Sequence, residues 1–138
     1  MLVKQIMREQ VTTVGPNTSV RAAAALMLDR NIGALPVCTD GKPAGIVTDR
    51  DLAIRLLPNL GCFADRIIQS VMSHPVITCR ADHDVVWAAR LMGQHQVRRL
   101  AVCDDAGVLV GILSLGDIAR DASEELAGQA LGETVEFR

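Results

Sequence analysis

The chain has 138 residues, 49% hydrophobic and 22% charged, with a formal net charge of -2. That length fits one compact domain or two small ones sharing a core, and the charge leaves no basic footprint for duplex nucleic acid. Aromatic residues make up only 2%, so the core must be built from Ala, Val, Leu, Ile and Met, and the stacking platforms that hold single strands are missing.

Residues 2–7 read as a short helical lead-in with charges interleaved among apolar residues. It lacks the apolar core of a signal peptide, and no run approaches the roughly 18 apolar residues of a membrane span, so the cytoplasm is the expected compartment. Val11–Val14 is a short β-prone run stopped by Gly15-Pro16-Asn17. Val20, Ala23, Ala24, Met27 and Leu28 follow at the spacing of one helix face, with Ser19 as N-cap, and Asn31-Ile32-Gly33 ends the pattern. Ala34–Cys38 and Ala44–Val47 read as strands joined antiparallel through the turn chemistry of Thr39-Asp40-Gly41-Lys42. A helix from about Asp49 to Leu57 stops before Pro58, and Pro58–Cys62 reads as a connector.

The same order then begins again. At a shift of 65, Val76, Thr78, Val85, Ala88, Ala89 and Met92 meet Val11, Thr13, Val20, Ala23, Ala24 and Met27. Val97, Leu100, Val102 and Cys103 meet Ile32, Leu35, Val37 and Cys38. One extra turn residue makes the shift 66, and Gly111, Ile112, Ser114 and Asp117 meet Gly45, Ile46, Thr48 and Asp51. This is a tandem duplication. The expected layout is repeat 1 over 1–57, a linker over 58–64, repeat 2 over 65–123, and a helix extension or tail over 124–138, with Gly132 ending the helix. The fold class is α/β (α+β by some schemes): two β-α-β-β-α units, marginal alone, packed sheet to sheet about a pseudo-twofold axis.

Thr48-x-x-Asp51 and Ser114-x-x-Asp117 carry the chemistry. One isolated copy is most economically a helix cap. Its re-use at the same point of a duplication favours a second role. An ionised carboxylate is acceptor-only and can receive two vicinal hydroxyls.

The doubled pattern resembles a tandem pair of CBS (cystathionine β-synthase) domains, a Bateman module, over roughly residues 2–122. The matching stretches are Ile32–Val37, Gly45–Asp51, Gln96–Leu100 and Gly111–Asp117. It is similar to small stand-alone bacterial CBS-pair proteins of the hypoxic-response type, since no catalytic or transport domain is attached. The resemblance implies a non-catalytic regulatory module, with roles in energy sensing or stress response, that binds AMP, ADP, ATP or S-adenosylmethionine in clefts between the repeats. Asp51 and Asp117 would receive the ribose, with Thr48 and Ser114 lining the ribose or phosphate side. Residues before the first helix of the opposite repeat, Thr12-Thr13 and Ile77-Thr78, would present backbone to adenine. Ile32, Ala34, Val97 and Leu100 would sandwich the base. Arg98 and Arg99 stand where the family places phosphate-binding residues, and arginine's planar fork suits phosphate. Gly33 and Ala34 hold those positions in repeat 1. The Asp117 cleft is thus expected to prefer a phosphorylated nucleotide, and the Asp51 cleft to be weaker, empty or suited to a less charged ligand. The competing reading of the arginines is surface pairing with Asp or Glu.

No cofactor is required on this reading. The expected partners are the adenosine ligand, a second copy in a homodimer, and an unidentified regulated protein, with no nucleic acid and no membrane. The helices after the two aspartates, with Leu52, Leu56, Leu57 and Ile118, are expected to expose an apolar side for that dimer. The alternative is a structural or interaction dimer with vestigial clefts. An enzyme is not expected: no G-x-S-x-G elbow is present and no nucleophile has an identifiable base. Cys38, Cys62, Cys79 and Cys103 form no C-x-x-C pair and read as small buried hydrophobes. His74, His83 and His95 lack i, i+4 spacing and read as solvated.

Overall fold

A computed structural model describes residues 1–58 and 65–135. Most of the expected linker, and Cys62 with it, lies outside the described residues. The chain divides into two compact units. One is Thr12–Val76; the other joins Met1–Val11 to the chain from Ile77 onward. Each unit is therefore a sequence repeat carrying the lead-in of the other repeat.

In the first unit, helix α1 (Val20–Arg30) starts at Ser19, whose Oγ accepts from the Ala22 N–H at 3.1 Å. It ends at Asn31 in the left-handed region (φ 52°), which Asn tolerates. Strands β1 (Ala34–Thr39) and β2 (Lys42–Thr48) pair antiparallel through a turn with Asp40 and Gly41 both at positive φ. The run before α1 contributes only a single parallel bridge, Val14 to Val37. Helix α2 (Asp49–Leu56) follows β2 directly. The core gathers Val14, Val20, Ala23, Met27, Leu35, Val37, Val47 and Leu56, joined by Ile68, Val71 and Met72 of the second lead-in.

The second unit repeats the plan more fully. Strand β3 (Thr78–Arg80) runs parallel to β4 (Arg99–Cys103), which pairs antiparallel with β5 (Leu109–Ser114). Helix α3 (Val85–His95) is capped by Asp84, and α4 (Leu115–Asp121) follows β5. Val3 and Ile6 of the first lead-in enter this core beside Met92, Leu100, Leu113 and Ile118. Burying each such aliphatic side chain contributes about 1.5–3 kcal/mol, enough to hold the lead-in in place.

Several expectations change. The chain beyond Asp121 is not an extension of α4. Ser123 Oγ accepts from the Leu126 N–H at 3.1 Å, and a new helix, α5 (Glu124–Val135), runs past Gly132. Its Ala127 and Ala130 are buried in the second unit's core, and the buried Thr134 hydroxyl donates to the Ala130 carbonyl at 2.8 Å. Leu56 and Ile118 do not form an exposed apolar side, because both point into the cores at 4% and 0% exposure. The exposed apolar residues of α2 and its end are Ile54 and Leu57. Leu100 is fully buried and offers nothing to a ligand. Cys79 and Cys103 are buried as expected, whereas Cys38 is half-buried; burial, with Cys103 nearby, pushes the Cys79 thiol up to about 12. Among the described residues no helix is long and apolar enough to cross a membrane.

Candidate functional site

The repeated glycines have a structural cause. In each unit the exchanged lead-in docks antiparallel on the last strand, Arg8 on Ile112 and Ser73 on Ile46, through two backbone hydrogen bonds each at 2.9–3.0 Å. A Cβ at Gly111 would lie 2.7 Å from Met7 Sδ and 3.0 Å from the Arg8 carbonyl; at Gly45 it would lie 2.7 Å from Met72 Sδ and 2.8 Å from the Ser73 carbonyl. Only glycine admits the crossing lead-in this close.

Both Thr48–Asp51 and Ser114–Asp117 are complete capping boxes. Thr48 Oγ1 accepts from the Asp51 N–H at 3.0 Å and Asp51 Oδ2 accepts from the Thr48 N–H at 2.9 Å. Ser114 and Asp117 repeat this at 3.1 and 2.9 Å, and the Ser114 hydroxyl also donates to Asp117 Oδ2 at 2.8 Å. The capping role and the ligand role therefore share the same atoms.

Beyond the cap the two sites part. Asp117 is 1% exposed, and its Oδ1 accepts from Arg120 Nη2 at 2.7 Å and from Arg8 Nε at 3.3 Å. Burial alone would raise its pKa, but the bonds from Ser114, Arg120 and Arg8 outweigh it and hold the carboxyl below the usual range. Asp51 is more open, at 16% side-chain exposure, and its Oδ1 faces only Arg55 Nε at 3.7 Å. Arg8 and Arg120 were absent from the sequence expectation. Arg120 sits three residues after Asp117, a spacing that signals contact on a helix. Arg8 is 109 residues away and arrives on the exchanged lead-in, so no local pattern marks it.

Arg98 and Arg99 are exposed and, among the described residues, have no ion-pair partner. They line a pocket of about 560 Å³ with Ser114, Leu115, Gly116 and, on the α5 side, Glu124, Ala127 and Leu131. That size is within the range of small-molecule sites. Register places Arg99 opposite Ser114 and Thr78 beside Ala101, whose N–H reaches the Ile77 carbonyl at 3.2 Å. Asp117, Ser114, Arg98, Arg99, Ile77 and Thr78 thus share the second unit. Asp51, Thr48, Gly33, Ala34, Thr12 and Thr13 share the first. The structure so groups each aspartate with the backbone before the first helix of its own repeat, rather than of the opposite one as expected, because the chain passes from one unit to the other at residues 11–12 and 76–77. In the first unit, Gly33 occupies the Arg98 position and lies against the Asp49 carboxylate, 3.0 Å from where a Cβ would stand. At these matched positions the second unit presents arginines, with Glu124 also on the pocket wall, where the first presents the Asp49 carboxylate.

A model of the CBS domain matches residues 3–57 and 68–124. The chain belongs to the CBS-domain family. CBS domain-containing protein YhcV of Bacillus subtilis is 42% identical over 130 residues, 94% of this chain and 91% of YhcV. Hypoxic response protein 1 of Mycobacterium tuberculosis is 35% identical over 127 residues, 88% of this chain and 85% of that protein. The chain spans only 60%, 28% and 24% of three longer relatives, two of them enzymes. Among solved structures, the CBS domain pair of protein MJ0100 in complex with 5′-methylthioadenosine and S-adenosyl-L-methionine gives a TM-score of 0.79 at 32% identity, over 91% of this chain and 98% of that one. CBSX2 in complex with AMP gives 0.77 at 29% identity, over 90% and 97%. The expected mixed α/β fold of paired CBS repeats holds, with two sheets and five helices among the described residues.

Proposed function

We propose that this CBS pair is a non-catalytic regulatory module that senses an adenosine-type nucleotide, AMP, ADP or ATP before S-adenosylmethionine. The observation that carries the reading is the pair of exposed, unpartnered arginines, Arg98 and Arg99, beside Ser114 on a pocket of about 560 Å³. Arg98 and Arg99 take the phosphate, and Asp117 the ribose. Ile77 and Thr78, next along the same sheet, are the backbone candidates for adenine. The first-unit residues Asp51, Thr48, Gly33, Ala34, Thr12 and Thr13 form a weaker second site, because Asp49 puts negative charge where phosphate would sit. MJ0100 and CBSX2, solved with adenosine compounds, support the ligand class.

A ligand that binds one arrangement of the chain better than another shifts the population toward it, and that shift is the signal. A homodimer in the cytoplasm and a separate regulated protein complete the proposal, and no cofactor enters it. One observation favours the second reading, a structural dimer with vestigial clefts: both capping boxes are satisfied without any ligand. A thermal-shift panel of AMP, ATP, S-adenosylmethionine and NAD separates the two. Sensing predicts a rise equivalent to about 2.7 kcal/mol at a hundredfold excess over Kd for at least one ligand. No shift with any of them supports the structural reading.

A further inference from the structure

Asp117 cannot receive a ribose as it stands. A carboxylate offers about four lone-pair positions, and all four are taken. Oδ2 accepts from the Ser114 N–H and hydroxyl at 2.9 and 2.8 Å; Oδ1 accepts from Arg120 Nη2 and Arg8 Nε at 2.7 and 3.3 Å. The Ser114 bonds belong to the cap that starts α4. The guanidinium groups are the removable partners, since their side chains are 62% and 55% exposed while the carboxylate is buried. Building on the nucleotide reading above, we infer that Arg8 and Arg120 form a cover on Asp117 that selects phosphorylated ligands: ribose hydroxyls displace them from Oδ1, and the ligand's phosphate is what draws them away.

The selection follows from the exchange of partners. A neutral nucleoside replaces two ion pairs on the carboxylate with hydroxyl–carboxylate bonds and leaves two guanidinium groups without an anion. A nucleotide supplies that anion, and the guanidinium fork re-forms its charge-assisted bonds on the phosphate. Arg8 and Arg120 then act together with Arg98 and Arg99. The first unit has no such cover. Ser73 stands where Arg8 stands, Ile54 where Arg120 stands, and Asp51 keeps only Arg55 at 3.7 Å.

The test is calorimetric titration of AMP and adenosine into wild type, Arg8→Gln, Arg120→Gln and the double variant. The preference for AMP over adenosine is the readout, because damage to the fold weakens both ligands alike. The expected result is a preference reduced about tenfold or more in the double variant, with partial recovery in the Arg8→Lys/Arg120→Lys pair, which keeps charge without the fork. An unchanged preference in the double variant, with AMP still bound by wild type, overturns the cover and leaves the nucleotide reading intact. Failure of wild type to bind either ligand overturns the nucleotide reading itself, and the cover with it.

Discussion

Replacing Asp117 with Asn tests how far the second site's carboxylate is built into the fold. The amide has the same shape, but it turns one acceptor into a donor. On the Oδ1 side, that donor would face Arg120 Nη2 and Arg8 Nε, which approach to 2.7 and 3.3 Å. On the Oδ2 side, it would face the Ser114 N–H at 2.9 Å. Hydrogen bonds to charged groups contribute about 1.5–3 kcal/mol, and a buried group left against the wrong partner adds to the loss. Because both arginines are half-exposed, only part of that applies to them. The expected cost is about 2–4 kcal/mol. Asp51→Asn removes less, since Asn can still accept from the Thr48 N–H and the Arg55 pair at 3.7 Å is worth about 0.3–0.5 kcal/mol. Urea unfolding followed by circular dichroism should separate the two midpoints by about 1 M, given slopes of about 1–3 kcal/mol/M. Equal midpoints would refute the argument that the Asp117 network stabilises the unit more than its counterpart.

Other outcomes follow from the same structure. The depressed Asp117 pKa means that its contribution is fully present above the ordinary carboxylate value of about 4 and is lost as pH falls through the lower folded value. Melting temperatures between pH 5 and 3 should therefore fall more steeply for wild type than for Asp117→Asn; parallel curves would contradict this. Gly111→Ala should cost about 1–3 kcal/mol, because its Cβ meets the Arg8 carbonyl at 3.0 Å, whereas Gly132→Ala in α5 meets nothing within 4 Å and should stabilise by about 0.5–1 kcal/mol in chemical denaturation. Cys79, buried with its thiol pushed up to about 12, should resist alkylation at pH 8 in the native protein and react after unfolding, as read by mass spectrometry.

The sequence carried the helices, the hairpin turns and both capping boxes, because those depend on residues three or four apart. The duplication made the pairing of Thr48–Asp51 with Ser114–Asp117 visible. It did not reveal why Gly45 and Gly111 recur. Their cause is the lead-in that crosses from the other repeat, and the contact between Gly111 and Met7 leaves no local trace. For the same reason the lead-ins were assigned to their own repeats, and Arg8 was missed although it sits on Asp117. The arginines at 98 and 99 were legible by comparison with Gly33 and Ala34. The saturation of Asp117 was not, because it depends on side-chain geometry that spacing does not encode. In α5, Gly132 looked like a stop, but the buried face of Ala127, Ala130 and Thr134 carries the helix past it.

On the proposed function, the second unit reads the phosphate of an adenosine nucleotide through Arg98 and Arg99. Both side chains are exposed and bond to nothing in the described chain, so their removal leaves the fold intact. Calorimetric titration of AMP into wild type and Arg98→Ala/Arg99→Ala tests it most directly. The expected Kd is raised tenfold or more in the variant, from the loss of about 1.5–3 kcal/mol of charge-assisted bonding. AMP bound equally well by both proteins would contradict it.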